Sequence, residues 1–186
     1  QVAYGLDFFH KMSIVWHDLK PQNIIIEFLK DDKIKIKLID YGMCDFNSNR
    51  STGAKLILQK AIGSPAYMAP EMYFWTPYKQ VPRSLRPRLE GTRPHRREVD
   101  IWGFGCLCYE IYAKDKEPLF HFRKTMMGYI KDTSVINPKI EGLEKLDSYT
   151  DPKSGKEHKE VTHLPKLIRS CLEIDRTKRI CIDKVL

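Results

Sequence analysis

Hydrophobic and polar positions recur with different periods along the chain, and the changes of period mark its elements. Val2, Leu6, Phe8 and Phe9 fall at helical spacing, which predicts a helix over Val2 to Lys11. Ile24 to Phe28 and Ile34 to Leu38 are short β-branched runs flanking Lys30-Asp31-Asp32-Lys33, the signature of a hairpin. In the second run Ile34, Ile36 and Leu38 alternate with Lys35 and Lys37, so one face is expected to be buried and the other wet. Asp100 to Ala113 is apolar nearly all round, through Ile101, Trp102, Phe104, Leu107, Tyr109 and Ile111, which predicts a buried central helix. Further helices are expected over Thr125 to Lys131 and Val161 to Glu173. The expected fold class is mainly α with one small β-hairpin.

Two stretches break this periodicity. Between Thr76 and Val99, Pro77, Pro82, Pro87 and Pro94 interrupt any helix or strand. The same stretch carries Lys79, Arg83, Arg86, Arg88, Arg93, Arg96 and Arg97 against Glu90 and Glu98, which is +5 of the chain's formal +8. An exposed loop is expected there. The second stretch, Asp132 to about Lys159, is polar and turn-rich, with Asn137-Pro138, Asp151-Pro152 and Ser154-Gly155, and is expected at the surface.

Composition narrows the class. With 186 residues, 42% hydrophobic and 30% charged, the chain is globular rather than disordered or fibrous, and its length suits one domain or one large lobe. The longest mostly apolar stretch, Ile101 to Tyr109, is far short of the roughly 20 residues that span a bilayer. No basic, apolar leader opens the chain, and Gln1 in place of Met leads to the expectation of further sequence upstream. The five cysteines (Cys44, Cys106, Cys108, Cys171, Cys181) form no C-x-x-C pair, so reduced thiols in a cytoplasmic, or alternatively nuclear, protein are expected. No pair of histidines has the H-x-x-x-H spacing of a zinc hydrolase.

The candidate chemistry lies in Asp18, Asn23 and Asp40. Asp18-Leu19-Lys20-Pro21-Gln22-Asn23 is a loop, because Pro21 forbids a continuing helix, and it feeds the strand Ile24 to Phe28. Asp40 follows the second strand. The hairpin would bring Asn23 and Asp40 to one end of two paired strands, where a carboxylate and an amide oxygen suit Mg²⁺. Asp18, one loop away, would hold a hydroxyl for attack, and Lys20 would neutralise a transferring phosphoryl group.

These residues resemble the catalytic loop and the D-F-G element of a eukaryotic protein kinase, in its C-terminal lobe. The resemblance continues in order. Gly63-Ser64-Pro65-Ala66-Tyr67-Met68-Ala69-Pro70-Glu71 resembles the substrate-docking loop ending in A-P-E. Asp100-Ile101-Trp102-Gly103-Phe104-Gly105 resembles the start of the helix that anchors the catalytic loop, and Cys171-Leu172 through Asp175 to Arg179 the late helix whose Arg pairs with the A-P-E Glu. It implies a kinase C-lobe of an α+β fold over residues 1–186, with insertions near 76–98 and 132–160. It also implies transfer of the ATP γ-phosphate to protein Ser or Thr hydroxyls, with ATP and Mg²⁺ as cofactors. Asp18 would be the catalytic base, Lys20 would contact the γ-phosphate, Asn23 and Asp40 would hold Mg²⁺, and Ile25 would lie under the adenine. Asp100 would accept hydrogen bonds from the catalytic-loop backbone, and Glu71 and Arg179 would form a buried ion pair. The Leu19-Lys20-Pro21 form and Ser64 resemble serine/threonine rather than tyrosine kinases. Of two positions that are acidic in many kinases preferring basic targets, Glu110 is retained and the other is Gln22. The glycine-rich phosphate loop, the strand lysine and the glutamate of the small lobe would lie upstream of Gln1.

The chain also departs from the family. Trp16-His17-Asp18 stands where H-R-D is usual, so a largely neutral imidazole replaces the arginine that clamps an activation-segment phosphate. The positions about 11 or 12 residues before Glu71, where the family carries its phosphorylated hydroxyl, are Gln59 and Lys60, while Ser48, Ser51 and Thr52 lie further back. Activity independent of activation-loop phosphorylation is expected. Trp16 brings an indole N–H that needs a partner, and Tyr41 a hydroxyl. These changes fit either a working enzyme with altered packing or a catalytically inactive scaffold. A third alternative is a polyanion-binding module, in which the basic stretch 79–97 docks an acidic partner.

Overall fold

The apolar run in the middle of the chain becomes its longest helix. In the computed structural model, Glu98–Tyr112 is α-helical, and every residue from Val99 to Tyr109 is buried. The structure describes residues 1–31, 33–45, 63–73, 97–113, 117–121, 123–144, 149–150, 157–158 and 163–186. The basic loop, apart from Arg97, Glu98 and Val99, and the positions Ser48, Ser51, Thr52, Gln59 and Lys60 lie outside the described residues.

In chain order the elements are α1 (Val2–Lys11), β1 (Ile24–Phe28), β2 (Ile34–Leu38), the four-residue α2 (Pro70–Tyr73), α3 (Glu98–Tyr112), α4 (Arg123–Lys131), α5 (Asn137–Glu144), the strand pair β3 (Tyr149–Thr150) and β4 (Glu157–His158), and α6 (Leu164–Cys171). Single turns of 3-10 helix occur at Pro21–Asn23, Pro65–Tyr67, Thr133–Ile136 and Ile182–Lys184. The first helix and the hairpin strands fall where the hydrophobic pattern places them. Among the described residues no helix is long and apolar enough to cross a membrane.

Helix α3 is the axis of the core. It packs along α6 so closely that a Cβ at Gly105 would stand 2.6 Å from the Cβ of Cys171, backbone-side atoms that have no room to yield. On another face Trp102 stacks on Phe120, with ring centroids 5.3 Å apart, and meets Tyr129 at 6.0 Å. Burial pushes the thiols of Cys108 and Cys171 up to about 12, so both act as packing groups rather than nucleophiles. Cys181, in contrast, is exposed.

The hairpin is antiparallel, with Ile24 opposite Leu38 and Phe28 opposite Ile34. Asp31 supplies the left-handed residue of its turn. The Gln1 side chain extends its edge: its amide donates to the Ile34 carbonyl (2.8 Å) and accepts from the Ile36 N–H (2.9 Å). The expected burial of one face is not realised. Phe28 is 83% exposed, Ile26 and Ile34 about half, and Ile36 and Leu38 are only half-buried. A two-stranded sheet touched by α1 mainly through Leu38 leaves the rest of its apolar face uncovered by the described residues. Phe8, too, faces outward with Tyr4 and Met12, while Leu6 and His10 form the buried side of α1.

Two further expectations are corrected. The stretch from Asp132 is not wholly a polar surface insertion: Thr133–Ile136 and α5 are helical, and Ile136, Ile140 and Leu143 enter the core at i, i+4 and i+7. Pro138 lies in the first turn of α5, where its missing N–H is no loss, so Asn137-Pro138 begins a helix rather than breaking one. The last long helix ends at Cys171 instead of Glu173, because Leu172 leaves helical geometry (φ −94°, ψ 19°) and the chain turns back until Ile180 N–H reaches the Ser170 carbonyl. The first residues of that expected span, Val161 and Thr162, lie outside the described residues.

The ion pair between Glu71 and Arg179 closes the core around α3. Its two arms measure 2.7 and 3.1 Å, both side chains are buried, and the guanidinium also donates to the carbonyls of Glu98 (2.8 Å) and Glu173 (2.9 Å) while lying over the Trp102 ring. Replacing Arg179 by Gln strands a buried carboxylate and is expected to destabilise the fold by about 3–5 kcal/mol in urea unfolding, with part recovered in the double variant Glu71→Gln/Arg179→Met. A loss below about 1 kcal/mol, the range of a surface pair, would contradict this role.

Candidate active site

The site begins with a carboxylate in the first turn of α3. Asp100, fully buried, accepts the backbone N–H of Trp16 on Oδ2 (2.9 Å) and that of His17 on Oδ1 (2.8 Å), and its Oδ2 also meets His10 Nε2 at 3.0 Å. His17 adopts φ +69°, a left-handed conformation uncommon for residues other than glycine, although histidine, asparagine and aspartate enter it more often than most. Two hydrogen bonds donated by these amides to the anchored carboxylate offset that strain, and the bend they hold points the next side chain, Asp18, into the site.

Asp18 is buried, and both of its oxygens are engaged. Oδ1 accepts from the Ser64 N–H (2.9 Å) and hydroxyl (3.1 Å); Oδ2 accepts from Lys20 Nζ (2.7 Å) and Asn23 Nδ2 (3.0 Å). Lys20 Nζ also donates to Ser64 Oγ at 2.9 Å, closing a small ring of polar atoms. Burial alone would raise the Asp18 carboxyl, but the hydrogen bonds from Lys20, Ser64 and Asn23 and the lysine charge outweigh it and hold it below the usual carboxylate range. Asp18 is therefore ionised at neutral pH.

Ser64 can reach Asp18 because of Gly63. This glycine has φ +106°, and a Cβ there would fall 2.7 Å from the His17 carbonyl oxygen. Only a residue without a side chain lets the segment that leads into α2 lie directly on the loop that carries Asp18. Beyond it, the Tyr67 hydroxyl donates to Glu110 Oε2, and burial together with this carboxylate pushes the phenol far above its usual range. Glu110, a candidate substrate contact by resemblance, is thus also a structural acceptor.

Asn23 ends the turn Pro21–Asn23 and is buried. Its Nδ2 donates twice to Asp18, to the carbonyl (2.8 Å) and to Oδ2, which fixes the amide and leaves Oδ1 as its free acceptor. The hairpin brings Asp40 to the same end, as expected: Ile39 N–H donates to the Asn23 carbonyl at 2.9 Å, one step beyond the Ile24–Leu38 pair. Asp40 has φ +64°, and its carboxylate is exposed, with Oδ1 accepting from Gly42 N–H at 3.3 Å. Among the described residues no group of three His, Cys, Asp or Glu side chains could hold a metal. An amide oxygen and an exposed carboxylate instead leave most of a coordination shell to waters and phosphate oxygens, which fits Mg²⁺. Ile25 lies on β1 at this end, 46% exposed, opposite Lys37.

Both departures in the aromatic positions find their partners. The indole of Trp16 is fully buried and its Nε1–H donates to the Asp40 carbonyl at 3.0 Å, while the Tyr41 hydroxyl donates to the Leu38 carbonyl. The contact that sequence reasoning missed is His10 with Asp100. Its only signal was a histidine four residues after Leu6 on the buried side of α1, a spacing equally suited to a packing residue.

Comparison with known proteins identifies the family. The protein kinase domain family profile matches residues 1–186. The cAMP-dependent protein kinase catalytic subunit 2 of Drosophila melanogaster is 28% identical over 97% of this chain and 38% of its own length. The probable serine/threonine-protein kinase mkcD of Dictyostelium discoideum is 28% identical over the whole chain and 22% of its own length, and the liver/testis phosphorylase b kinase gamma catalytic chain of Bos taurus 32% over 66% and 25%. The chain thus spans well under half the length of these relatives.

The buried His17 gives the site a pH signature. Desolvation lowers its imidazole, partly offset by the charges of Asp100 and Asp45, so the folded state resists a proton that the unfolded state accepts below about 6.5. The unfolded state then binds more protons, and stability, full above this range, falls as pH drops through it. Thermal unfolding between pH 7.5 and 5.5 is expected to show a decline that becomes shallower in His17→Asn, a side chain that tolerates positive φ. Equal slopes for the two proteins would contradict it.

Proposed function

Since the chain belongs to the protein kinase domain family, we propose that it forms the mainly helical C-terminal lobe of a serine/threonine kinase that transfers the γ-phosphate of ATP to protein hydroxyls. The observation that carries this reading is the convergence of Asp18, Lys20, Asn23 and Ser64 in one hydrogen-bonded group at the hairpin end that also bears Asp40. The names of the relatives support it, being those of a probable serine/threonine-protein kinase, a protein kinase catalytic subunit and a kinase catalytic chain.

In this reading Asp18 receives the substrate hydroxyl. A carboxylate held below its ordinary range is a weak base, so its first task is to orient the oxygen for in-line attack, and it takes the proton as the new O–P bond forms and the bond from the γ-phosphorus to the bridging oxygen breaks, releasing ADP. Lys20, within reach of both Asp18 and Ser64, offers its ammonium to the charge on the transferring phosphoryl group. Asn23 Oδ1 and the Asp40 carboxylate hold Mg²⁺, which when bound to ATP neutralises phosphate charge. Ile25 supplies apolar surface for the adenine. Ser64 narrows the acceptor to an aliphatic alcohol by sharing the Asp18 carboxylate and the lysine. The inactive-scaffold reading has less support, because Asp18, Lys20, Asn23 and Asp40 are all retained and lie at one end of the hairpin.

Asp18→Asn in the full-length protein is expected to lower phosphoryl transfer to a serine peptide by about 10²–10⁴-fold, with a stability loss of about 1–3 kcal/mol because the new amide N–H faces groups that donated to Asp18. In the same assay, alanine at Ser48, Ser51 and Thr52 together leaves the rate intact. Undiminished transfer in Asp18→Asn would refute the assignment, and a large loss in the triple variant would refute independence from activation-loop phosphorylation.

A further inference from the structure

We propose that Asp45 is a positioning residue whose carboxylate, acting on the His17 imidazole, ties the segment after the hairpin to the loop carrying Asp18, in the role that an activation-segment phosphate has toward an arginine. This rests on the kinase reading above. The two segments already meet at the backbone. Val15 and Asp45 exchange both hydrogen bonds of an isolated antiparallel bridge, N–H to carbonyl at 3.0 and 2.8 Å. His17 lies two positions beyond Val15, diagonally across the bridge from Asp45, a spacing over which larger side chains still reach each other. Val15 is fully buried, His17 is 8% exposed and Asp45 is half-buried, so water screens the imidazole from the carboxylate only in part.

An isolated bridge is a weak joint, resting on two hydrogen bonds of modest net worth. The side chains supply a second tie. Burial lowers the His17 imidazole, and what opposes that burial is the negative charge of Asp100 and of Asp45. Asp100 comes from the first turn of α3, and its oxygens are engaged by the Trp16 and His17 amides and by His10. Asp18, next along the chain, is turned to Lys20, Asn23 and Ser64. Among the described residues, Asp45 is therefore the carboxylate that acts on the ring from the segment after the hairpin. The positions where the resemblance places a phosphorylated hydroxyl are Gln59 and Lys60, so an anion for an arginine is not encoded there. An imidazole that faces a carboxylate of its own chain needs no added phosphate. Holding the ring holds the bend at His17 (φ +69°), and that bend sets the direction of Asp18.

The first test, on the full-length protein, does not depend on catalysis. The His17 ring signal, assigned by its loss in His17→Asn, is titrated by NMR. Asp45→Asn is expected to lower its midpoint by about 0.5–1 pH unit, the effect of removing one partly screened negative charge, and Asp45→Glu to leave it near the wild-type value. In transfer to a serine peptide, Asp45→Asn is expected to lower kcat about 5- to 10-fold with the KM for ATP unchanged, and Asp45→Glu to recover most of the rate. In a His17→Asn background the same Asp45→Asn change is expected to have no further effect, because the two side chains act as one unit. A midpoint that does not move in Asp45→Asn, or a rate loss that persists undiminished in the His17→Asn background, overturns the proposal. A wild-type protein that transfers no phosphate to the peptide overturns the kinase reading instead, and the titration then decides by itself whether Asp45 holds the imidazole.

Discussion

One carboxylate, Asp100, organises everything that the site needs. It sits at the start of the helix around which the core is packed, so its position is set by the burial of eleven consecutive residues, Val99 to Tyr109. From there it holds two successive backbone N–H groups, those of Trp16 and His17, in a bend that the chain does not adopt readily. The direction of Asp18 follows from that bend, and the direction of the Trp16 indole, which reaches Asp40, follows from the same anchor. His10 adds a third partner to the carboxylate from α1, so three segments of the sequence meet at one buried group. A buried carboxylate is tolerable only when its lone pairs are filled, and here the hydrogen bonds it accepts from the Trp16 and His17 amides offset both the strain of the loop and the desolvation of the acid.

The second constraint joins the far end of the site to the same helix. Glu71 and Arg179 tie α2 and the C-terminal segment to the α3 start through the Glu98 carbonyl, while Gly63 lets the intervening strand of chain lie on the His17 carbonyl and deliver Ser64 to Asp18. The polar ring of Asp18, Lys20, Asn23 and Ser64 is thus preorganised by groups that lie outside it. Preorganised dipoles of this kind act without reorganisation at the moment of reaction.

Much of this was legible in the sequence because it is written in local signals. The uninterrupted apolar run of α3, the β-branched runs around Lys30 to Lys33, and the spacing from Asp18 to Asn23 each report on residues that are neighbours along the chain. What escaped depends on partners far apart. His10 and Asp100 are 90 positions from each other, and a histidine on a buried helix face looks the same whether it packs or binds. The half-exposed face of the hairpin escaped because alternation reveals which side is apolar, not whether anything covers it. Thr133 to Glu144 escaped for another reason: Asn-Pro marks a turn and a helix start equally well, and the periodicity of Ile136, Ile140 and Leu143 was the signal that distinguished them.

The central claim, that the Asp100 carboxylate sets the catalytic loop, is tested most directly by hydrogen exchange at the Trp16 and His17 amides in Asp100→Asn, measured beside phosphoryl transfer. Asparagine keeps the volume but offers one acceptor oxygen where two are used. The account predicts that at least one of the two amides loses protection, that transfer falls with it, and that the amides of the α3 interior stay protected. Unchanged protection of both amides with undiminished transfer would contradict it.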